Sequence, residues 1–153
     1  MAIEYRLHIK SQSFEINVMR NYLTLKNILL KEEILDNTII FNLYNIWGFV
    51  ITIYKNNDSY FEYLISKEKI IFKEWDYSYV ICFRLNKDFN YLKAKLNMLD
   101  IIIYILNNTS EDSILLYSSD FMILERENNK IIINDEMGFW DSEEALNKKK
   151  LLL

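Results

Sequence analysis

The chain has 153 residues, of which 51% are hydrophobic and 15% aromatic, and its formal charge is −4. This length and apolar content predict one folded domain over residues 1–153 and exclude a disordered chain. The weak negative charge argues against a nucleic-acid partner and favours a basic one.

A strand and a helix are predicted at the start of the chain. Apolar and polar residues alternate over residues 3–9, which indicates a half-buried strand with His8 on its solvated face. His8 is the single histidine of the chain, so we expect a solvated side chain and not a metal ligand. The helix that follows is expected to be capped by Ser11 or Ser13.

The next part of the chain is predicted to form a hairpin and a second, short helix. Strands are expected over residues 38–44 and 47–54, close enough for a tight turn. Asn57 or Asp58 is then expected to cap the short helix, and a charged surface connection is expected over residues 67–76. The inward residues of this helix would be Phe61, Leu64 and Ile65.

A further strand, one long helix and a meander complete the pattern. After the strand at residues 79–85, a helix is predicted from about 88 to 107, because its apolar residues recur every three or four positions. These residues are Phe89, Leu92, Leu96, Leu99, Ile103 and Leu106. Three strands follow, at residues 114–117, 121–125 and 130–134, and they are joined by short turns.

These elements predict an α+β fold with one antiparallel or mixed β-sheet packed against the long helix and shorter helices. Residues 147–153, three lysines among them, are expected to form a loosely held tail. The first residues lack the pattern of a signal peptide, and no apolar run reaches the roughly 20 residues of a membrane span. We therefore expect a soluble, cytoplasmic protein.

Motifs that indicate catalysis are scarce in this sequence. It contains no glycine-rich phosphate loop, no paired metal-ligand spacing and no nucleophile elbow. The single Cys82 lies in an apolar run and is expected to be a small buried residue. We therefore expect no cofactor, no metal and no enzymatic activity, and we assign no catalytic residue.

The remaining candidate site is acidic and lies near the end of the chain. It consists of Asp135, Glu136, Asp141, Glu143 and Glu144. Three interpretations stay open: a solvated turn that leads into a helix, a partner-binding surface, and a catalytic or metal-binding carboxylate cluster. The partner-binding surface is the functional hypothesis that we carry forward.

Gly138, Phe139 and Trp140 lie among these acidic residues. Gly138 is one of two glycines in the chain, so it is expected to meet a backbone requirement, such as a positive φ or a close approach. We predict that Gly138 fixes a turn that directs Phe139 and Trp140 inward. The two aromatic side chains would then anchor the C-terminal segment on the sheet.

Several segments together resemble one protein family. A strand ends in Arg84-Leu85-Asn86-Lys87, the long helix contains Asn97-Met98-Leu99, and Gly138-Phe139-Trp140 precedes a short acidic helix. The opening residues and the three hydrophobic strands add residues 1–7, 114–117, 121–124 and 131–134. In these segments the chain resembles the Sit-type immunity proteins of myxobacterial swarm-inhibition, or kin-discrimination, systems.

The resemblance implies a role in bacterial competition. Such a protein protects a cell because it binds a cognate delivered toxin and neutralises it by stoichiometric occlusion. The mild acidity of the chain fits a basic toxin. A small enzyme that uses the C-terminal carboxylate cluster and a protein-binding adaptor unrelated to toxins are the alternatives, and a homo-oligomer stays open.

Overall fold

Residues 2–66, 68–118 and 120–153 are described by the structure, a computed structural model, without the side chains of residues 58 and 59. Within these ranges the chain forms eight strands and three helices. The strands are β1 (Glu4–Ile9), β2 (Glu33–Leu35), β3 (Thr38–Leu43), β4 (Phe49–Leu64), β5 (Ile70–Leu85), β6 (Ser113–Tyr117), β7 (Phe121–Glu127) and β8 (Lys130–Ile133). The helices are α1 (Asn17–Leu25), α2 (Tyr91–Asn107) and α3 (Glu143–Leu152).

The strands belong to one mixed sheet. Its order is β2-β3-β4-β5-β1-β6-β7-β8, and these neighbours pair in antiparallel fashion. A single parallel pairing, between Leu64 of β4 and Phe121 of β7, makes the sheet mixed. The predicted α+β class and the predicted meander of β6, β7 and β8 are therefore confirmed.

Two of the predicted elements are wrong, because β4 and β5 form one long hairpin. The pairing runs from Phe49 opposite Leu85 to Leu64 opposite Ile70, so the strands replace the short helix and the charged connection. Around residue 61 the exposed and buried side chains alternate, as in a strand. Lys67, which the prediction placed in the charged connection, lies outside the described residues.

The end of this hairpin passes across one face of the sheet. β7 lies four strand positions from β4, which is about 19 Å in a flat sheet with a spacing of about 4.8 Å. Leu64 nevertheless pairs with Phe121, so the end of the hairpin must cross β1 and β6. A second hydrophobic cluster forms between them from Phe61, Tyr63, Trp75, Ile114, Leu116 and Met122.

The prediction of one long helix packed on the sheet is correct only in part. α2 has 17 residues and begins at Tyr91. Asn90 is its N-cap, because the Asn90 side chain accepts a hydrogen bond from the Lys93 N–H. Its nearest backbone neighbours are α3 and α1. Its buried side chains, Leu99 among them, share the main core cluster with strand residues such as Leu7.

Leu99→Ala is expected to lower the free energy of unfolding by about 2–5 kcal/mol, because a fully buried leucine leaves a cavity that the core fills incompletely. Urea denaturation measures this loss. Leu146→Ala in α3 is the matched control, since that leucine is 38% exposed, and its effect should stay within about 0.5 kcal/mol. Equal effects of the two substitutions would contradict the assignment of Leu99 to the core.

The beginning of α1 also differs from the prediction. Ile16 occupies the N-cap position and makes no side-chain capping bond, and the helix starts at Asn17. Ser11 and Ser13 lie too far upstream to reach the first helical N–H groups, and the Ser11 hydroxyl donates to the Ser13 carbonyl instead. The Glu15 carboxylate instead accepts a 3.1 Å hydrogen bond from the N–H of Asn17, and the helix packs on the main core through Met19, Tyr22 and Leu23.

Gly48 allows α2 to lie close to the turn between β3 and β4. Its φ is +92°, and an added Cβ would lie 2.5 Å from Phe89 Cδ1 and 2.8 Å from Ala94 Cβ. The Gly48 carbonyl also accepts a hydrogen bond from Asn86 N–H at 2.8 Å. A glycine is required here for the backbone conformation and for the close approach.

Candidate functional site

The Gly138-Phe139-Trp140 segment is packed on the main core. Gly138 has a φ of +72°, and both aromatic side chains are buried. The ring centroids of Phe139 and Trp140 are 4.8 Å apart in a T-shaped arrangement, and Phe139 lies 5.6 Å from the ring of Tyr5 in β1. The turn at Gly138 thus places two large side chains against the sheet and α2.

Lys95 of α2 holds this segment from the other side. Its ammonium group donates a 2.6 Å hydrogen bond to the Phe139 carbonyl and lies 4.7 Å from the centroid of the Phe139 ring. Burial lowers the pKa of Lys95, while the charge of Asp141 acts in the opposite direction. Sequence reasoning missed this residue, although a lysine on the apolar side of a helix, four residues before Leu99, is a usable signal.

The five predicted acidic residues are all exposed. Asp135 and Glu136 precede the buried aromatic pair, and the other three follow it. Glu143 and Glu144 lie in the first turn of α3, where negative charge is favourable, and the Ser142 hydroxyl caps this helix by accepting from Ala145 N–H at 3.1 Å.

Helix α3 connects the acidic segment to α2. The ammonium group of Lys149 lies 2.9 Å from a carboxylate oxygen of Asp135, and Lys148 forms an ion pair with Asp100 of α2. The predicted tail begins at residue 147, yet residues 147–152 continue α3, and Leu152 is buried in the main core.

The acidic segment lies beside the turn of the β4–β5 hairpin. Ser66 and Glu68 from the turn and Glu136 and Met137 from the acidic segment line one groove of about 480 Å³. These two parts of the chain are about 70 residues apart in sequence, and the crossing of the hairpin over the sheet brings them together. Short-range sequence patterns carry no signal for this proximity.

His8 is buried, so its predicted solvated position is wrong. The end of the hairpin covers that face of β1, and the imidazole lies 4.6 Å from the ring of Phe61 in a T-shaped contact. Burial, with a smaller contribution from the charge of Arg6, lowers the pKa of His8 to about 4. Its Nδ1 has no hydrogen-bond partner among the described residues.

Cys82 is buried, as predicted. Burial and the charge of Glu4 raise the pKa of its thiol. A reactive cysteine requires the opposite shift, because the thiolate is the nucleophile. In the part of the chain that the structure describes, no three His, Cys, Asp or Glu side chains are grouped so that they could hold a metal ion.

Glu125 of β7 fastens the hairpin end to the sheet. Its carboxylate is buried, forms an ion pair with Lys73 of β5 and accepts a 3.2 Å hydrogen bond from the hydroxyl of Tyr63 in β4. Burial, and then the charge of Glu125, raise the pKa of Tyr63. A buried carboxylate requires such partners. We therefore assign Glu125 a structural role, which is to hold the hairpin end on the sheet.

One comparison with known proteins identifies a family for this chain. The family model described as SitI3-like matches residues 3–144. The chain therefore belongs to the SitI3-like family, and this confirms the resemblance to Sit-type immunity proteins. The match also includes the β4–β5 hairpin, where no resemblance was noted from the sequence.

Two further comparisons, with curated proteins and with solved structures, gave no match.

The helices that the structure describes do not meet the requirements of a membrane span. Across the described ranges, none of them combines the length and the apolar character needed to cross a bilayer.

Proposed function

We propose that this protein is an immunity protein that binds a cognate bacterial toxin and blocks it by occlusion. The observation that carries the proposal is membership of the SitI3-like family over residues 3–144. The name of the family suggests an immunity protein, and an immunity protein implies a toxin as its partner. The protein would act inside the cell that it protects.

An inhibitor of this kind requires a complementary surface and no catalytic residue. The reactive side chains of the described residues fit such an inhibitor, because their surroundings do not favour catalysis. His8 is buried and neutral at neutral pH, the thiol pKa of Cys82 is raised, and the carboxylate of Glu125 is occupied by Lys73 and Tyr63. We propose accordingly that the protein is not an enzyme.

The acidic segment is the proposed partner-facing surface. Asp135, Glu136, Asp141, Glu143 and Glu144 are exposed around an anchor that is itself buried. The anchor fixes the backbone that carries these carboxylates before binding, so little backbone entropy would be lost when a partner is bound. A basic toxin fits this charge, and complementary charges mainly increase the association rate and the specificity.

Inhibition by the protein is expected to follow fixed stoichiometry. When purified protein is titrated into its cognate toxin, the remaining toxin activity should fall in proportion to the protein added. A substoichiometric amount should leave the corresponding fraction of toxin active, because each inhibitor molecule occupies one toxin molecule. An activity titration with toxin well above the dissociation constant measures this.

Two other outcomes would favour the alternatives. Complete loss of toxin activity with a small, catalytic amount of protein would contradict occlusion and favour a small enzyme. Binding that leaves the toxin fully active would instead favour an adaptor. Heat-denatured protein serves as the control, because occlusion requires the folded surface.

A further inference from the structure

The outer face of the β4–β5 hairpin end exposes a row of large apolar side chains. Tyr60 is 60% exposed, Phe72 is 62% exposed and Ile70 is 49% exposed. The rings of Tyr60 and Phe72 lie with their centroids 6.4 Å apart, as diagonal neighbours on the two strands. Leu64, directly opposite Ile70, extends this row toward the turn.

These side chains contribute little to the burial that holds the hairpin in place. The inner face already supplies Phe61, Tyr63 and Trp75 to the second hydrophobic cluster. Single exposed apolar residues are common on protein surfaces. Several adjacent ones on one face of a hairpin are different, because contiguous apolar patches typically mark interaction sites.

Carboxylates alternate with the aromatic residues on this outer face. Glu74 lies directly opposite Tyr60, and Glu62 lies directly opposite Phe72. A groove of about 600 Å³ lies along the part of the patch that excludes Phe72, and its lining consists of Tyr60, Tyr63, Leu64, Ile70 and Phe121 together with the carboxylates of Glu62 and Asp120. The face therefore combines apolar surface with negative charge in one small area.

Among the described residues of this region, the exposed carboxylates outnumber the exposed cations. Lys73 is paired with Glu125 beneath the hairpin, so it is directed away from the outer face. Lys69, in the turn, is the exposed cation of the described part of this region. Beyond the turn, Glu68 and Glu136 line the groove that leads to the acidic segment, so the two surfaces adjoin.

We propose that the outer face of the hairpin end, with Tyr60, Phe72 and Ile70 at its centre, is the apolar centre of the toxin-binding interface. This inference rests on the proposed function and names the chemistry of the partner surface. That surface carries arginine side chains around an apolar centre. A guanidinium group stacks on the ring of Tyr60 or Phe72 and pairs with the glutamate directly across the hairpin.

The hairpin face and the acidic segment contribute differently to binding, because they differ in exposure and composition. Buried aromatic anchors at the centre of an interface supply most of its affinity, and surrounding charges mainly supply the association rate. The aromatic side chains of the hairpin face therefore control how slowly the complex dissociates. The carboxylates of that face and of the acidic segment beside it control how fast the complex forms.

The test compares variants that keep the strand intact. Tyr60→Thr and Phe72→Thr remove the aromatic rings but retain a residue that strands favour. Binding to the cognate toxin that the unchanged protein inhibits is measured by surface plasmon resonance, and folding by thermal denaturation. Each variant should raise Kd at least about 30-fold, which corresponds to the 2 kcal/mol of a hot-spot residue, mainly through faster dissociation.

Charge reversals examine the carboxylates of the same face. Glu62→Lys and Glu74→Lys should slow association with the toxin about tenfold at low salt, and the difference from the unchanged protein should shrink as salt is added. The matched controls lie on the edge strand β2. Ile34→Thr replaces a residue that is 68% exposed, and Glu33→Lys reverses an exposed charge; both should leave Kd within threefold.

The outcomes separate this inference from the proposed function. If the unchanged protein binds and inhibits the toxin but the hairpin variants bind it equally well, the interface inference is wrong and the proposed function stands. A loss of affinity in the β2 controls as large as in the hairpin variants would also overturn it. If the unchanged protein neither binds nor inhibits the toxin, both the function and the interface are rejected.

Discussion

Trp140→Ala is expected to lower the free energy of unfolding by about 3–5 kcal/mol, the usual cost of deleting a buried aromatic side chain. The indole is 2% exposed and packs edge-on against Phe139 in the main core. Its removal leaves a cavity and also releases the turn at Gly138, so the start of α3 loses its anchor. Chemical denaturation followed by circular dichroism measures the change.

Asp141→Lys and Glu144→Lys are the controls for this experiment. Both carboxylates are exposed, so stability should fall by no more than about 1 kcal/mol, the usual size of a charge effect at a helix N-terminus, whereas association with a basic toxin should slow. An opposite result for Trp140→Ala, with toxin binding abolished and an unchanged melting temperature, would invert the assignment. The aromatic pair itself would then face the toxin.

The stability of the protein is expected to fall by about 3 kcal/mol through His8 alone as the pH is lowered from 7 to 4. Burial, and secondarily Arg6, lower the pKa of folded His8 from 6.5 to about 4. Unfolded chains therefore bind a proton at His8 between these two values, and folded chains do not. The contribution is fully present above pH 6.5 and is lost as the pH falls through the folded pKa.

His8→Leu separates this effect from the titration of carboxylates, which is common to both proteins. Leucine has a similar volume and cannot be protonated, so the variant should lose about 3 kcal/mol less stability over the same pH interval. Urea denaturation at a series of pH values provides the comparison. Parallel pH profiles for the two proteins would show that folded His8 is protonated as easily as unfolded His8.

The elements that could be predicted from the sequence each show one clear local pattern, which is either the alternation of a strand or the apolar spacing of a helix. Alternation over residues 3–9 and 79–85 identified parts of β1 and β5, and the apolar spacing after residue 88 identified α2. The meander followed from three short apolar runs with asparagines between two of them. Asn128 and Asn129 both adopt positive φ there, as a tight hairpin requires.

The hairpin end could not be predicted, because its sequence fits two periods. Phe61, Leu64 and Ile65 have helical spacing, while Phe61 and Tyr63 also have the spacing of a strand. The choice is decided by pairing with residues 70–75 across the hairpin and by contact with β7, and β7 lies far away in sequence. The same crossing buries His8, so the local alternation of β1 predicted the wrong environment for that residue.

At the candidate site, the local sequence predicts that the acidic residues are exposed. It does not predict which other residues surround them. Charged side chains next to a turn and a helix start are normally solvated, and those around Gly138 are. Lys95 beneath Phe139 and the hairpin turn beside Glu136 depend on tertiary packing. These contacts determine which surfaces adjoin, and they become visible only in the folded chain.

Because the hairpin end lies across the sheet, we expect it to open with a lower free energy than the main core of the domain. The hairpin end is held by a small cluster, the ion pair of Lys73 with Glu125 and one strand pairing, all separate from the main core. We therefore expect amide hydrogens near residues 61–64 and 71–75 to exchange with solvent through opening of the hairpin alone. Amides in the centre of β1 and in α2 should exchange only when the whole domain unfolds.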